Sequence, residues 1–155
     1  MSATTMISRA EAAELAEQRC GVYRDQLGWN TIRDSQTGAI VFRPDRQWAV
    51  LVPKALGVYV RTRLRERPAP VFSIDRTVWV FVTGVPGRWV DTAEVSVSLT
   101  RFGAVPVLPG STVALPTPGD RRRCWLDAPG PPRVLPSFGV VVDAVLAAGE
   151  AERWP

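Results

Sequence analysis

The reactive chemistry open to this chain comes down to its arginines. Of nineteen basic residues only Lys54 is a lysine, and histidine is absent. Without imidazole there is no Ser-His or Cys-His nucleophilic couple, and the usual zinc and iron sites lose their commonest ligand. Lys54 follows a proline with no glycine-rich loop before it, which excludes a P-loop phosphate cradle, and no Gly-x-Gly-x-x-Gly run marks a dinucleotide site. Two-metal phosphoryl transfer needs paired carboxylates that face the same ions from one strand. No predicted strand carries such a pair. Glu150 and Glu152 come nearest, in a stretch that reads as tail, while Asp75, Asp91, Asp120 and Asp127 stand alone as turn or cap residues. No catalytic residue, metal ligand or cofactor site is assigned, and the chain reads as a non-enzyme.

Arg121-Arg122-Arg123 is the sharpest positive feature. A guanidinium presents a planar fork of donors that fits phosphate and carboxylate alike. The three arginines are expected either to contact an anionic partner, nucleic acid or an acidic protein surface, or to form a solvated hairpin tip whose charge blunts a sheet edge. Arg61 and Arg65 are the second anion-contact candidates. The formal net charge of +4 and pI near 9.8 agree with an anionic partner. Arginine in place of lysine, amid abundant Ala, Val, Pro and Gly, is also what a GC-rich genome yields. Trp89 and Trp125, with Trp154 near the end, are candidates for an exposed apolar patch on a protein-interaction adaptor that binds no nucleic acid, one alternative reading; a residual nucleotidyltransferase is the other.

The elements that must hold these residues follow from periodicity and punctuation. Ser8 to Glu11 is a capping box opening a helix whose inner face is Ala12, Leu15, Ala16, Cys20, Tyr23 and Leu27, with Gly28 as its stop. Trp29 to Arg33 and Ala39 to Phe42 are β-prone runs around a polar loop, hence a hairpin. Trp48 to Val52 is continuously apolar, as in a strand covered on both faces, and Pro53 ends it. Lys54 to Arg67 fits a helix through Leu56, Val60 and Leu64, although its alternation with arginines also suits a strand; helix is preferred. On a helix Arg61 and Arg65 share a side that Arg63 and Arg67 do not.

Val71 to Ile74 and Thr77 to Thr83 are strands, the second placed in the middle of the sheet. Asp91 and Gly103 bracket a segment taken as helix despite the alternation of Val95, Val97 and Leu99. Val105 to Leu108 and Thr112 to Leu115 are extended, and Cys124 to Leu126 is read as the strand returning from the triple-arginine tip. After four prolines, Ser137 caps a last helix with Val140, Val141, Ala144, Val145 and Ala148 on its apolar face. The sum is one α+β domain, 8–149, with a mixed or mainly antiparallel sheet and about four helices, a frayed leader at 1–7 and a frayed tail at 150–155. No run approaches the length of a membrane helix, and a cytoplasmic location is expected. Cys20 and Cys124 are too few for a disulfide framework.

From Leu56 onward the chain resembles small actinobacterial proteins related to the N-terminal domain of bifunctional DNA primase/polymerases. The likeness is carried by Leu56-Gly57 with Val60-Arg61 and Leu64, by Pro70-Val71, and by Trp79-Val80-Phe81-Val82-Thr83-Gly84. Further on it is carried by Pro109-Gly110-Ser111, Val113, Leu115-Pro116, Pro118 and Trp125. It implies an α+β fold in which an RRM-like sheet handles nucleic acid. Active members hold metal with paired acids and a histidine; those residues are absent here, so the resemblance implies a degenerate, non-catalytic member.

Overall fold

The computed structural model describes residues 7–88, 90–130 and 134–152. Trp89, Trp154 and most of the expected leader lie outside the described residues. Helix α1 (Arg9–Gly21) starts where the capping box places it: the Glu11 amide donates to Ser8 Oγ at 3.1 Å, and the Ser8 amide donates to Glu11 Oε2 at 2.8 Å. The chain then widens into a single π turn, Val22–Gln26, in which the Leu27 amide reaches Val22 O at 3.2 Å, before Gly28 turns it at φ +70°. Ala16, Cys20 and Tyr23 are buried as the periodicity requires, whereas Leu15, expected on the same face, is exposed.

The hairpin expected next is present, with β1 (Thr31–Arg33) antiparallel to β2 (Ile40–Phe42). It is followed by β3 (Gln47–Pro53), α2 (Lys54–Arg63), β4 (Val71–Ile74), β5 (Val78–Gly84), α3 (Thr92–Thr100) and β6 (Val105–Val107). The last elements are β7 (Val113–Ala114), β8 (Arg123–Asp127) and α4 (Phe138–Ala151). Both stretches that also suited a strand are helical. In α2, Gly57 and Val60 turn inward, and Leu64 follows them into the core. In α3, the Asp91 carboxylate accepts from the amides of Ala93 and Glu94, satisfying donors that a helix start leaves orphaned. Helix α4, capped by Ser137, continues to Ala151, so it takes in the first residues of the expected tail; there Glu150 pairs with Arg101 at 3.5 Å.

The α+β class holds, and every strand pairing is antiparallel, but the strands divide between two sheets, one ordered β6-β3-β5-β4-β8 and one ordered β1-β2-β7. Along the chain, β3-α2-β4-β5-α3-β6 is a split β-α-β-β-α-β unit with β5 central, as expected, and β8 is added at the β4 edge. Side chains alternate across it. Val50, Val52, Val71, Trp79 and Phe81 meet α2, α3 and α4 in one core. Ala49, Phe72, Val80 and Val82 face the smaller sheet in a second core with Ile40, Phe42, Tyr23 and Trp29. The smaller sheet and the end of the first helix thereby cover the face opposite the helices.

One expectation is overturned. Thr112 to Leu126 is not a hairpin with the arginines at its tip. β7 pairs with β2 and β8 with β4, in different sheets. Val113 and Leu115 are buried in the core between the sheets, and the Leu115 amide donates to Ile40 O at 2.8 Å. Pro116 and Pro118, next in line, have no backbone N–H to give a ladder, and the arginines enter β8 from a crossing loop.

Candidate anion-binding surface

The crossing loop is tied down from within. The Asp120 carboxylate accepts from the Arg122 amide at 2.8 Å and from Arg123 Nη1 at 3.2 Å. Arg122 reaches across to the β4–β5 turn, donating from Nε and Nη2 to the two Asp75 oxygens at 2.9 and 2.7 Å. The Arg122 hydrogen bond is the first cause holding the Asp75 carboxyl below its ordinary 3.8, and the same bond raises the Arg122 guanidinium. Arg121 stands between these clamps, exposed, with no hydrogen bond or ion pair among the described residues. Of the three arginines, two act as internal fasteners and one is presented to solvent.

Arg61 and Arg65 belong to a different region. Arg61 donates from Nε and Nη2 to both oxygens of Asp127, each at 2.7 Å, at the far end of β8 from the crossing loop. The pair depends on a β-bulge. The register passes from Phe72↔Trp125 to Val71↔Asp127, which leaves Leu126 as the extra residue and swings Asp127 to the helix side of the sheet. Arg65 lies just past the end of α2, exposed and unpaired among the described residues. The structure therefore places the two groups of candidate arginines at opposite ends of β8.

Trp125 is partly buried and packs against the core between the sheets. Its ring packs on Phe72 at 5.3 Å between centroids and on Tyr23 and Trp29 at 6.3 Å each, and its Nε1–H donates to Tyr23 Oη at 2.9 Å. Burial raises the Tyr23 phenol above its ordinary value, with the Trp125 hydrogen bond opposing it. Trp125 is thus only partly exposed and anchors an aromatic cluster under β8.

Beside the crossing loop lies an open groove of about 900 Å³. Arg122 and Arg123 form one wall, and Arg9 on α1 and Arg33 on β1 complete a basic rim that includes Asp34 and Asp120. Arg33 is fixed by Glu17 at 3.2 Å, whereas Arg9 has no partner among the described residues. Arg9 and Arg33 were not singled out in the sequence. They are far apart in the chain and far from Arg121, and only the pairing of β1, β2 and β7 beside α1 brings them to the loop. Among the described residues no group of three or more Cys, Asp or Glu is placed to hold a metal ion, and no helix is long and apolar enough to cross a membrane. No family model, curated protein or solved structure matches this chain.

Proposed function

We propose that this protein is a non-catalytic binding domain that engages an anionic partner through Arg121 and the crossing loop that carries it, on a scaffold of the primase/polymerase kind. The observation that carries this reading is the division of labour in Arg121-Arg122-Arg123. Arg122 and Arg123 are spent on Asp75 and Asp120, and they hold Arg121 outward on a backbone already ordered. Preorganisation of this sort reduces the entropy lost when a partner docks. The split β-α-β-β-α-β unit supports the scaffold part of the proposal, since it is the connectivity of an RRM-like sheet.

The same topology argues against RRM-style base stacking. RRM sheets stack bases on aromatics of the sheet face, and here that face is filled by the smaller sheet, Tyr23 and Trp29. Charge at the crossing loop is what remains. An adaptor working through Trp125 is less well supported, because that ring is packed against Phe72 and bonded to Tyr23. The free thiols of Cys20 and Cys124 suit a reducing, cytoplasmic setting. The experiment is retention on an immobilised polyanion: the wild-type chain is expected to elute at higher salt than Arg121→Glu, and co-elution of the two would remove the loop from the proposal.

A further inference from the structure

Resting on that reading of the crossing loop, we infer that Arg76 is a second contact residue beside Arg121, and that the two guanidinium groups hold one phosphate monoester, carried on a phosphorylated side chain of a partner protein. Arg76 occupies a position that resists it. The β4–β5 turn closes in two residues with φ +50° at Asp75 and +61° at Arg76, a shape that favours Asn or Asp followed by Gly. Asp75 fits that preference and is bonded to Arg122. Arg76 stands where glycine is preferred, is exposed, and makes no side-chain hydrogen bond or ion pair among the described residues. Strain that no internal contact offsets points to a role outside the fold. The ladder brings this residue to Arg121: Ile74 lies opposite Arg123, the Asp75 amide donates to Arg122 O, and the next position along each segment is Arg76 on one and Arg121 on the other.

The charge at this corner is not cancelled from within. In the adjoining groove Arg9, Arg33, Arg122 and Arg123 are balanced by Asp34, Glu17, Asp75 and Asp120. Arg76 and Arg121 are additional to that balance. So is Lys54, which opens α2 at the same end of the sheet, with its amide bonded to Thr77 O at 2.9 Å and its side chain unpaired among the described residues. The number of oxygens selects the anion. Asp75 and Asp127 each give both carboxylate oxygens to a single arginine, so one fork satisfies a carboxylate, and a phosphodiester likewise has two free oxygens. A phosphate monoester has three, with about two negative charges, and can take two forks at once. A terminal nucleotide would bring the same group together with a base. The segments that present Arg76 and Arg121 carry no aromatic ring to stack on it, and Trp125 is packed on Phe72 beneath β8. A phosphorylated side chain asks for nothing beyond the phosphate contacts.

The test is fluorescence anisotropy at low salt with the whole chain and three labelled probes: a glycine-serine peptide carrying one phosphoserine, the same peptide unphosphorylated, and a short single-stranded oligonucleotide with a 5′-phosphate. Arg76→Gly removes the guanidinium and suits the turn, so binding and stability should move in opposite directions. The expected result is phosphopeptide binding about tenfold or more tighter than that of either other probe, lost to a similar degree in Arg76→Gly and in Arg121→Glu. The melting temperature of Arg76→Gly should equal or exceed that of wild type, because glycine accepts the positive φ without strain. Phosphopeptide binding that falls with Arg121→Glu but ignores Arg76→Gly would overturn the role of Arg76 and leave the loop reading standing. Tighter binding of the oligonucleotide would overturn the phosphorylated side chain as its source. Equal binding, or none, of the two peptides would overturn the phosphate site, while the loop reading is decided separately by the polyanion column.

Discussion

Asp75 and Arg122 are joined at three points: two side-chain bonds, at 2.9 and 2.7 Å, and a backbone bond in which the Asp75 amide donates to Arg122 O at 2.8 Å. Asp75 and its neighbour Arg76 sit at φ +50° and +61°, the left-handed region that a tight hairpin turn demands and that non-glycine residues resist. Thr77 closes the turn with a 3.0 Å bond to Ile74 O. Arg122 thus extends the β4–β8 ladder beyond Ile74↔Arg123 and braces an unfavourable turn. The arginine loop and this turn form one hydrogen-bonded unit.

Asp75→Asn should loosen that unit without unfolding the domain. Asparagine tolerates the same backbone conformation but loses the charge. The expected outcome is faster hydrogen exchange at the amides of residues 75 and 122, with a melting temperature close to wild type, as is usual for exposed pairs. Unchanged exchange there would mean that the ion pair does not brace the loop.

The pH dependence has a definite sign. Asp75 is depressed below 3.8 in the folded chain, so its contribution is fully present above the unfolded value and is lost as pH falls through its own lower value. The protection of the loop amides, after the intrinsic pH dependence of exchange is divided out, should therefore hold constant from neutral pH down to the ordinary carboxylate range and fall only below it. Loosening that begins near neutrality would contradict the assignment.

Gly57→Ala and Gly149→Ala test helix packing. A Cβ on Gly57 would stand 2.9 Å from Trp79 Cε3, and one on Gly149 would stand 2.6 Å from Phe102 Cγ. Helix propensity alone would favour alanine by about 1 kcal/mol, against an overpacking cost of about 1–3 kcal/mol. Net destabilisation is expected in urea melts, larger for Gly149→Ala, whose contact is shorter and falls on the root of the ring.

Trp125→Ala should cost about 3 kcal/mol of stability, and Tyr23→Phe, which leaves the indole N–H without its acceptor, about 1 kcal/mol. Chemical denaturation checks both. Wild-type stability in Trp125→Ala would instead mark the ring as a contact surface.

Much of the fold was legible in the sequence because its signals are local. Ser8, Asp91 and Ser137 announce helices through caps, and the apolar run of β5 announces a buried centre strand. What could not be read depends on distant partners. Whether Val113 pairs with β8 or with β2 is decided by Ile40 and Phe42, some seventy residues earlier, which must share a core with Leu115. Asp127 reads as a turn residue because its approach to Arg61 depends on a bulge at Leu126 that no residue type signals. The arginine triplet was visible as charge, but its division between Asp75, Asp120 and solvent was not. Arg9 carries no mark of a groove until α1 lies beside the smaller sheet.

The most direct measurement of the central claim is the affinity for a labelled acidic probe at low and moderate salt, compared among wild type, Arg121→Glu and Arg61→Gln. Arg61 is committed to Asp127 at the other end of β8, so its loss should leave binding unchanged. The account predicts wild-type affinity that weakens as salt screens the loop, a loss of about tenfold in Arg121→Glu, and none in Arg61→Gln. Equal affinity for wild type and Arg121→Glu, at either salt, would contradict it.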